Sequence, residues 1–152
     1  HLEQAERSWW QQRIEATFQA VGVKHLPIGL AGELFDRFAQ PEPWAVYPEV
    51  PDALERWRQG GLVLIVVSNF DRRLHGLLER LGLRDAVDGV LVSSEAGAAK
   101  PDPALLEAAI AQVPCSAEQA LLIGDSGADE QAAAAAGMRC LRLQRPSGLL
   151  VP

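Results

Sequence analysis

Apolar residues change rhythm near residue 46. Before it they recur at helical spacing. Trp10, Ile14, Phe18 and Val21 stand four, four and three residues apart, one face of a helix, and Leu30, Leu34, Phe35 and Phe38 form a second stripe. Trp9 points about 100° away from Trp10 around a helix, so the two indoles meet different neighbours. Pro41, Pro43, Pro48 and Pro51 then crowd one short stretch, which breaks helices and makes a stiff connector. The pattern predicts a pair of helices within 1–46 and a hinge at 41–51.

After the hinge, short apolar runs alternate with helical stripes. Pro51 suits a first helical turn; Leu54 and Trp57 give that helix an apolar side, and Gly60-Gly61 ends it. The run 62–67 predicts a strand. Asp71 is placed to cap a helix whose Leu74, Leu77, Leu78 and Leu81 share a face. A strand follows at 87–92. Asp102 and Pro103 open a helix that turns Leu105, Leu106, Ala109, Ile110 and Val113 inward. Ser116 with Gln119 has the spacing of a capping box, enough for a single turn. A strand at 120–123, an alanine-rich helix at 128–136 and a last strand at 138–143 complete the series. Strand–helix alternation with continuously apolar strands means an α/β fold: a doubly wound, Rossmann-like parallel sheet covered on both faces. We therefore divide the chain into a small, partial helical cap, 1–46, and an α/β core, 47–152.

Composition narrows the function classes. With 152 residues, 48% apolar and 22% charged, the chain suits one globular domain with an appendage. A net charge of −6 without a basic cluster argues against a nucleic-acid partner. The two cysteines, Cys115 and Cys140, are too few for a disulfide scaffold and read as reduced thiols, which makes cytoplasmic the expected localisation. Apolar runs of about six residues are far short of a membrane span. His25 and His75 lack a partner at metal spacing, and neither nucleotide-binding glycine fingerprint occurs.

The chemistry gathers at strand ends. Leu122-Ile123-Gly124-Asp125-Ser126-Gly127-Ala128-Asp129 runs from an apolar strand through a glycine to two carboxylates, at the sheet edge where open α/β folds bind ligands. A carboxylate directly after a buried strand is costly unless paired or metal-bound, which singles out Asp125. Asp129 falls in a first helical turn, where the macrodipole alone favours an acid. Two hard oxygen donors suit Mg²⁺. Ser68 ends strand 62–67, and with Asn69 it would present a hydroxyl and backbone N–H groups to an anion; as an isolated residue it would be an ordinary cap. Lys100, between Ala98-Ala99 and Pro101, is either a surface lysine or a point charge for a phosphoryl group.

Taken together, Val66-Val67-Ser68-Asn69-Phe70-Asp71, Ser93-Ser94-Glu95-Ala96-Gly97-Ala98-Ala99-Lys100-Pro101-Asp102-Pro103 and the Asp125/Asp129 pair resemble the second, third and fourth motifs of the haloacid dehalogenase superfamily, in its phosphatase-type members with a helical cap. The resemblance spans essentially the whole chain. It implies a Mg²⁺-dependent phosphatase of small phosphorylated metabolites that works through an aspartyl-phosphate intermediate, under a cap that closes and selects the substrate. Ser68, Asn69 and Lys100 would bind substrate, with Ser68 and Lys100 catalytic, and Asp125 and Asp129 would hold Mg²⁺. The spacing departs from a common family pattern by one residue, so Glu130 is an alternative to Asp129. The family's first motif, Asp-x-Asp, is absent: no two of the eight aspartates are separated by a single residue. That motif supplies the nucleophile and the central strand. The expectation is therefore a chain without its amino-terminal part, inactive alone, whose strands 62–67 and 120–123 flank a gap. A non-catalytic binding or regulatory module of the same fold and a carbon–halogen hydrolase are the alternatives.

Overall fold

Helix α1 (Leu2–Ala20) begins the chain, and α2 (Leu30–Arg37) and α3 (Val50–Gln59) follow. The computed structural model describes residues 1–144. Its chain groups into two compact units: His1–Leu64 with Phe70–Val90, and Ile65–Asn69 with the residues from Leu91 onward.

The first unit is helical and includes α4 (Arg73–Arg80). The two apolar stripes read from the sequence face each other: Trp10, Ile14 and Phe18 of α1 line a cavity of about 520 Å³ with Leu34, Phe38, Trp44 and Phe70. Val21 falls outside the stripe and is 75% exposed, because α1 stops at Ala20. Across the helices, Arg7 donates to Asp36 at 2.8 Å. Pro51 lies in the first turn of α3, as its fixed φ favours. Asp71 is buried and stands one residue before the N-cap, which is Arg72: its Oδ1 accepts from the Arg73 backbone N–H at 3.0 Å, and its two oxygens take the Arg73 guanidinium at 2.8 and 2.7 Å. That guanidinium lies 3.5 Å from the Phe35 ring centroid and also donates to the Phe35 carbonyl. A buried acid is thereby fully paired, the condition for holding a charge out of water.

The second unit carries the strands. They are β1 (Ile65–Ser68), β2 (Gly89–Val92, whose last two residues belong here), β3 (Leu121–Gly124) and β4 (Arg139–Arg142), with helices α5 (Ser93–Ala96), α6 (Ala104–Ile110) and α7 (Gly127–Ala135) between them. β1 pairs with β2, and β3 pairs with β4 in parallel, Leu122 opposite Cys140. No ladder joins β1 to β3 among the described residues, so the sheet is split where the sequence placed a gap. Side chains bridge the split. Leu105 and Ala109 of α6 pack with Leu91 against Ile65 and Val67; Leu106 packs with Ala132 and Ala133 of α7 against Val67, Leu122 and Met138. The small alanines let α7 approach the strands closely, and both are fully buried.

The strand expectation at 62–67 needs correction. Leu62 and Val63 are 58% and 55% exposed and lie outside β1. Leu64 is fastened instead to Asp88, whose carboxylate accepts its N–H at 2.8 Å and whose own N–H donates back to its carbonyl at 2.8 Å. β1 is half-buried throughout rather than buried on both faces, as follows from its having a ladder partner on one side. The single turn α5 was not anticipated, whereas the capping box of Ser116 and Gln119 is present around one 3-10 turn.

Candidate active site

Lys100 is the centre of the site. It lies in the loop between α5 and α6, yet its side chain is only 12% exposed. Its Nζ donates to the carbonyl of Val67 in β1 at 3.0 Å and pairs with Asp129 Oδ1 in α7 at 2.7 Å. Its backbone is held as well: Asn69 Oδ1 accepts from the Lys100 N–H at 2.8 Å, and Asn69 Nδ2 donates to the Lys100 carbonyl at 2.7 Å. Ser68, half-buried, is the last residue of β1 and stands between the two residues that grip the lysine. The end of β1, the 100 loop and the start of α7 thus converge.

Asp129 is nearly buried, and both its oxygens are occupied. Oδ1 faces Lys100; Oδ2 accepts from Ser126 N at 3.0 Å and from Ser126 Oγ at 2.6 Å. Burial pushes its pKa up, but the bonds from Lys100 and Ser126 outweigh burial and hold it below the ordinary carboxylate value. Ser126 and Asp129 form a capping box at the head of α7. The sequence carried that signal, Ser-x-x-Asp before an apolar helix, and we read it only at Ser116. Gly124 is the other unanticipated member. A Cβ there would lie 2.5 Å from Asp129 Cγ, so the carboxylate occupies the space a side chain would need.

Asp125 differs from its expectation. It directly follows β3 but is exposed, so no desolvation cost argues for a metal beside it. It is the acid of the pair with open access. Glu130, the alternative partner, turns to β4 and meets Arg142 at 2.7 Å. No cluster of three or more His, Cys, Asp or Glu exists among the described residues. The donor set still fits Mg²⁺, which takes one or two carboxylates and fills its remaining positions with water and substrate oxygens.

A family model for haloacid dehalogenase-like hydrolases matches residues 1–137. The chain belongs to this family. Among its relatives is the human haloacid dehalogenase-like hydrolase domain-containing protein 3, 37% identical over 146 residues, which cover 94% of this chain and 58% of that protein. A phosphoglycolate phosphatase of Pseudomonas putida is 33% identical over 110 residues, 71% of this chain and 40% of that one. The crystal structure of a phosphatase of the same superfamily from Thermococcus onnurineus superposes with a TM-score of 0.69 at 26% identity, covering 87% of this chain and 59% of that one. The chain thus spans about half the length of the relatives it matches. Phosphatases are among its relatives.

Proposed function

We propose that this chain carries the phosphoryl-holding and metal-holding residues of a Mg²⁺-dependent phosphatase of small phosphorylated metabolites, with residues 1–46 as part of a substrate-selecting helical cap and 47–152 as the core. The observation that carries this reading is the double anchorage of Lys100, on Val67 O at 3.0 Å and Asp129 Oδ1 at 2.7 Å. An ammonium has three N–H donors. Two meet the protein, and the third would meet a phosphoryl oxygen. Ser68 Oγ would donate to another. Asp125 would hold Mg²⁺, which when bound supplies charge that screens the approach of one anion to another. Asp129 would stand beside the metal, with its oxygens turned first to Lys100 and Ser126. In the aspartyl-phosphate route a carboxylate attacks phosphorus and displaces the substrate alcohol, which leaves protonated, and water then hydrolyses the acyl phosphate to inorganic phosphate and the free carboxylate. That carboxylate would come from outside these 152 residues, and the chain alone would not turn over. A cytoplasmic location belongs to the same reading and is supported by the two free cysteines, Cys115 and Cys140.

Titration with inorganic phosphate, with and without Mg²⁺, tests the reading. Lys100→Met should abolish phosphate binding. Mg²⁺ should tighten binding to the unaltered chain, and Asp125→Asn should remove that gain while leaving metal-free binding unchanged. Equal phosphate affinity in Lys100→Met would overturn the reading. Mg²⁺-dependent turnover of a phosphomonoester by this chain, lost in Asp125→Asn, would show that it contains its own nucleophile.

A further inference from the structure

We infer that Asn69 is a positioning residue: its carboxamide clamps the backbone of Lys100 and so sets where the ammonium stands, and it does not touch the phosphoryl group. The inference rests on the phosphoryl-holding reading above and deepens it. Proximity in sequence to Ser68 suggested a substrate contact for Asn69. The geometry gives it other work. A carboxamide offers one carbonyl oxygen and one NH₂. Here the oxygen accepts from Lys100 N at 2.8 Å and the nitrogen donates to Lys100 O at 2.7 Å, so both ends are engaged by a single residue and one N–H is left over. Among side chains of this length only asparagine can do both. Aspartate keeps the acceptor and loses the donor; serine is too short to reach both groups.

The clamp has a consequence for the ammonium. Lys100 sits in a loop, where backbone position is weakly determined. A lysine side chain has a flexible four-carbon stem and many rotamers. Anchoring Nζ to Val67 O and Asp129 fixes one end of that stem, and Asn69 fixes the other. Val67 and Asn69 flank Ser68, so a three-residue segment of β1 and its exit holds both the root and the tip of the lysine. Releasing the root lets the tip leave Asp129 and swing toward solvent.

The chain contains two lysines, Lys24 and Lys100, and Lys24 is exposed, which provides an internal reference. Trace acylation of the full chain, read by mass spectrometry as the Lys100-to-Lys24 ratio, reports how firmly Lys100 is held. Inorganic phosphate added to the same reaction reports anion binding as protection of Lys100. In the unaltered chain Lys100 should react more slowly than Lys24, and phosphate should slow it further. In Asn69→Ala the ratio should rise at least about fivefold and the phosphate concentration for half-protection should rise as much, since both hydrogen bonds of the clamp are lost and one of ordinary strength alone has about that effect. Asn69→Asp, which preserves side-chain volume and serves if the alanine variant does not fold, should change both in the same direction. Weakened phosphate protection with an unchanged Lys100-to-Lys24 ratio would overturn the inference, because Asn69 would then contact the anion directly. Unchanged values of both would overturn it too. If phosphate fails to protect Lys100 in the unaltered chain while the ratio still rises in the variants, the phosphoryl-holding reading falls and the clamp is left without the function assigned here.

Discussion

Lys100 Nζ and Asp129 Oδ1 stand 2.7 Å apart with side chains 12% and 7% exposed, joining a loop to the head of α7. A pair this sheltered is asymmetric under mutation. Asp129→Ala removes the acid from the lysine and from both Ser126 donors, and it should destabilise the chain by about 2–4 kcal/mol. Lys100→Met leaves Asp129 with its Ser126 bonds, and about 1–2 kcal/mol is expected. Urea unfolding measures both. A larger loss in Lys100→Met than in Asp129→Ala would mean that Ser126 contributes nothing to holding the acid.

The same pair sets a pH dependence. Asp129 has its folded-state pKa held down, burial notwithstanding, by Lys100 and Ser126. An unfolded aspartate titrates near about 3.9. The stability contributed by the ionised acid is therefore complete above about pH 5 and disappears as pH falls through the lower folded-state value. The stability difference between the unaltered chain and Asp129→Asn should be constant from neutral pH to about 5 and then shrink on acidification. A difference that persists undiminished at pH 3 would show that the charge of Asp129 is not what stabilises.

The strands and most helices were legible because continuous apolar runs and 3.6-residue stripes leave few alternatives. The order Ser68, Lys100, Asp125, Asp129 pointed to the family, and Lys100 and Asp129 do meet. What the residues do locally was not legible. Asn69 holds the backbone of a residue 31 positions away, and tertiary contacts of that kind leave no trace in periodicity. Burial of Asp125 was inferred from the apolar strand before it, but a residue one step beyond a strand end can face water, and this one does. Leu62 and Val63 looked like strand because they are apolar; the ladder begins at Ile65, after Leu64 has been tied to Asp88.

In the helical unit, Asp71 and Arg73 form the corresponding buried pair. Asp71 is 2% exposed and offers both oxygens to Arg73, whose guanidinium rests on Phe35. Asp71→Ala strands that guanidinium among aromatic rings and should cost about 3–5 kcal/mol, the range for removing one member of a buried pair. Replacing both, as Asp71→Ala with Arg73→Met, should cost less than the single change at Asp71, because no charge is left unpaired. Differential scanning calorimetry of the two variants decides it; a double variant less stable than the single one would mean that Arg73 stabilises mainly by packing on Phe35.

Gly124 is the position where the site tolerates least. A Cβ would come within 2.5 Å of Asp129 Cγ and 2.6 Å of Oδ2. The obstructed group is no free side-chain tip, since its carboxylate is held by Lys100 on one oxygen and Ser126 on the other. Gly124→Ala must therefore displace Asp129 or bend β3 at its last residue, and about 1–3 kcal/mol of destabilisation is expected from the overlap. If the displaced group is Asp129, Lys100 loses its acid, and acylation of Lys100 relative to Lys24 should rise with the loss of stability. In Asp129→Ala the Cγ and Oδ2 overlaps are gone and only the Cβ of residue 129, 2.8 Å from the added methyl, is left in the way, so adding Gly124→Ala should cost less than it does in the unaltered chain, and the two changes should be less than additive. Full additivity in a double-mutant cycle would place the strain of the Cβ on the β3 backbone and free Gly124 of any role in aiming Asp129 at Lys100.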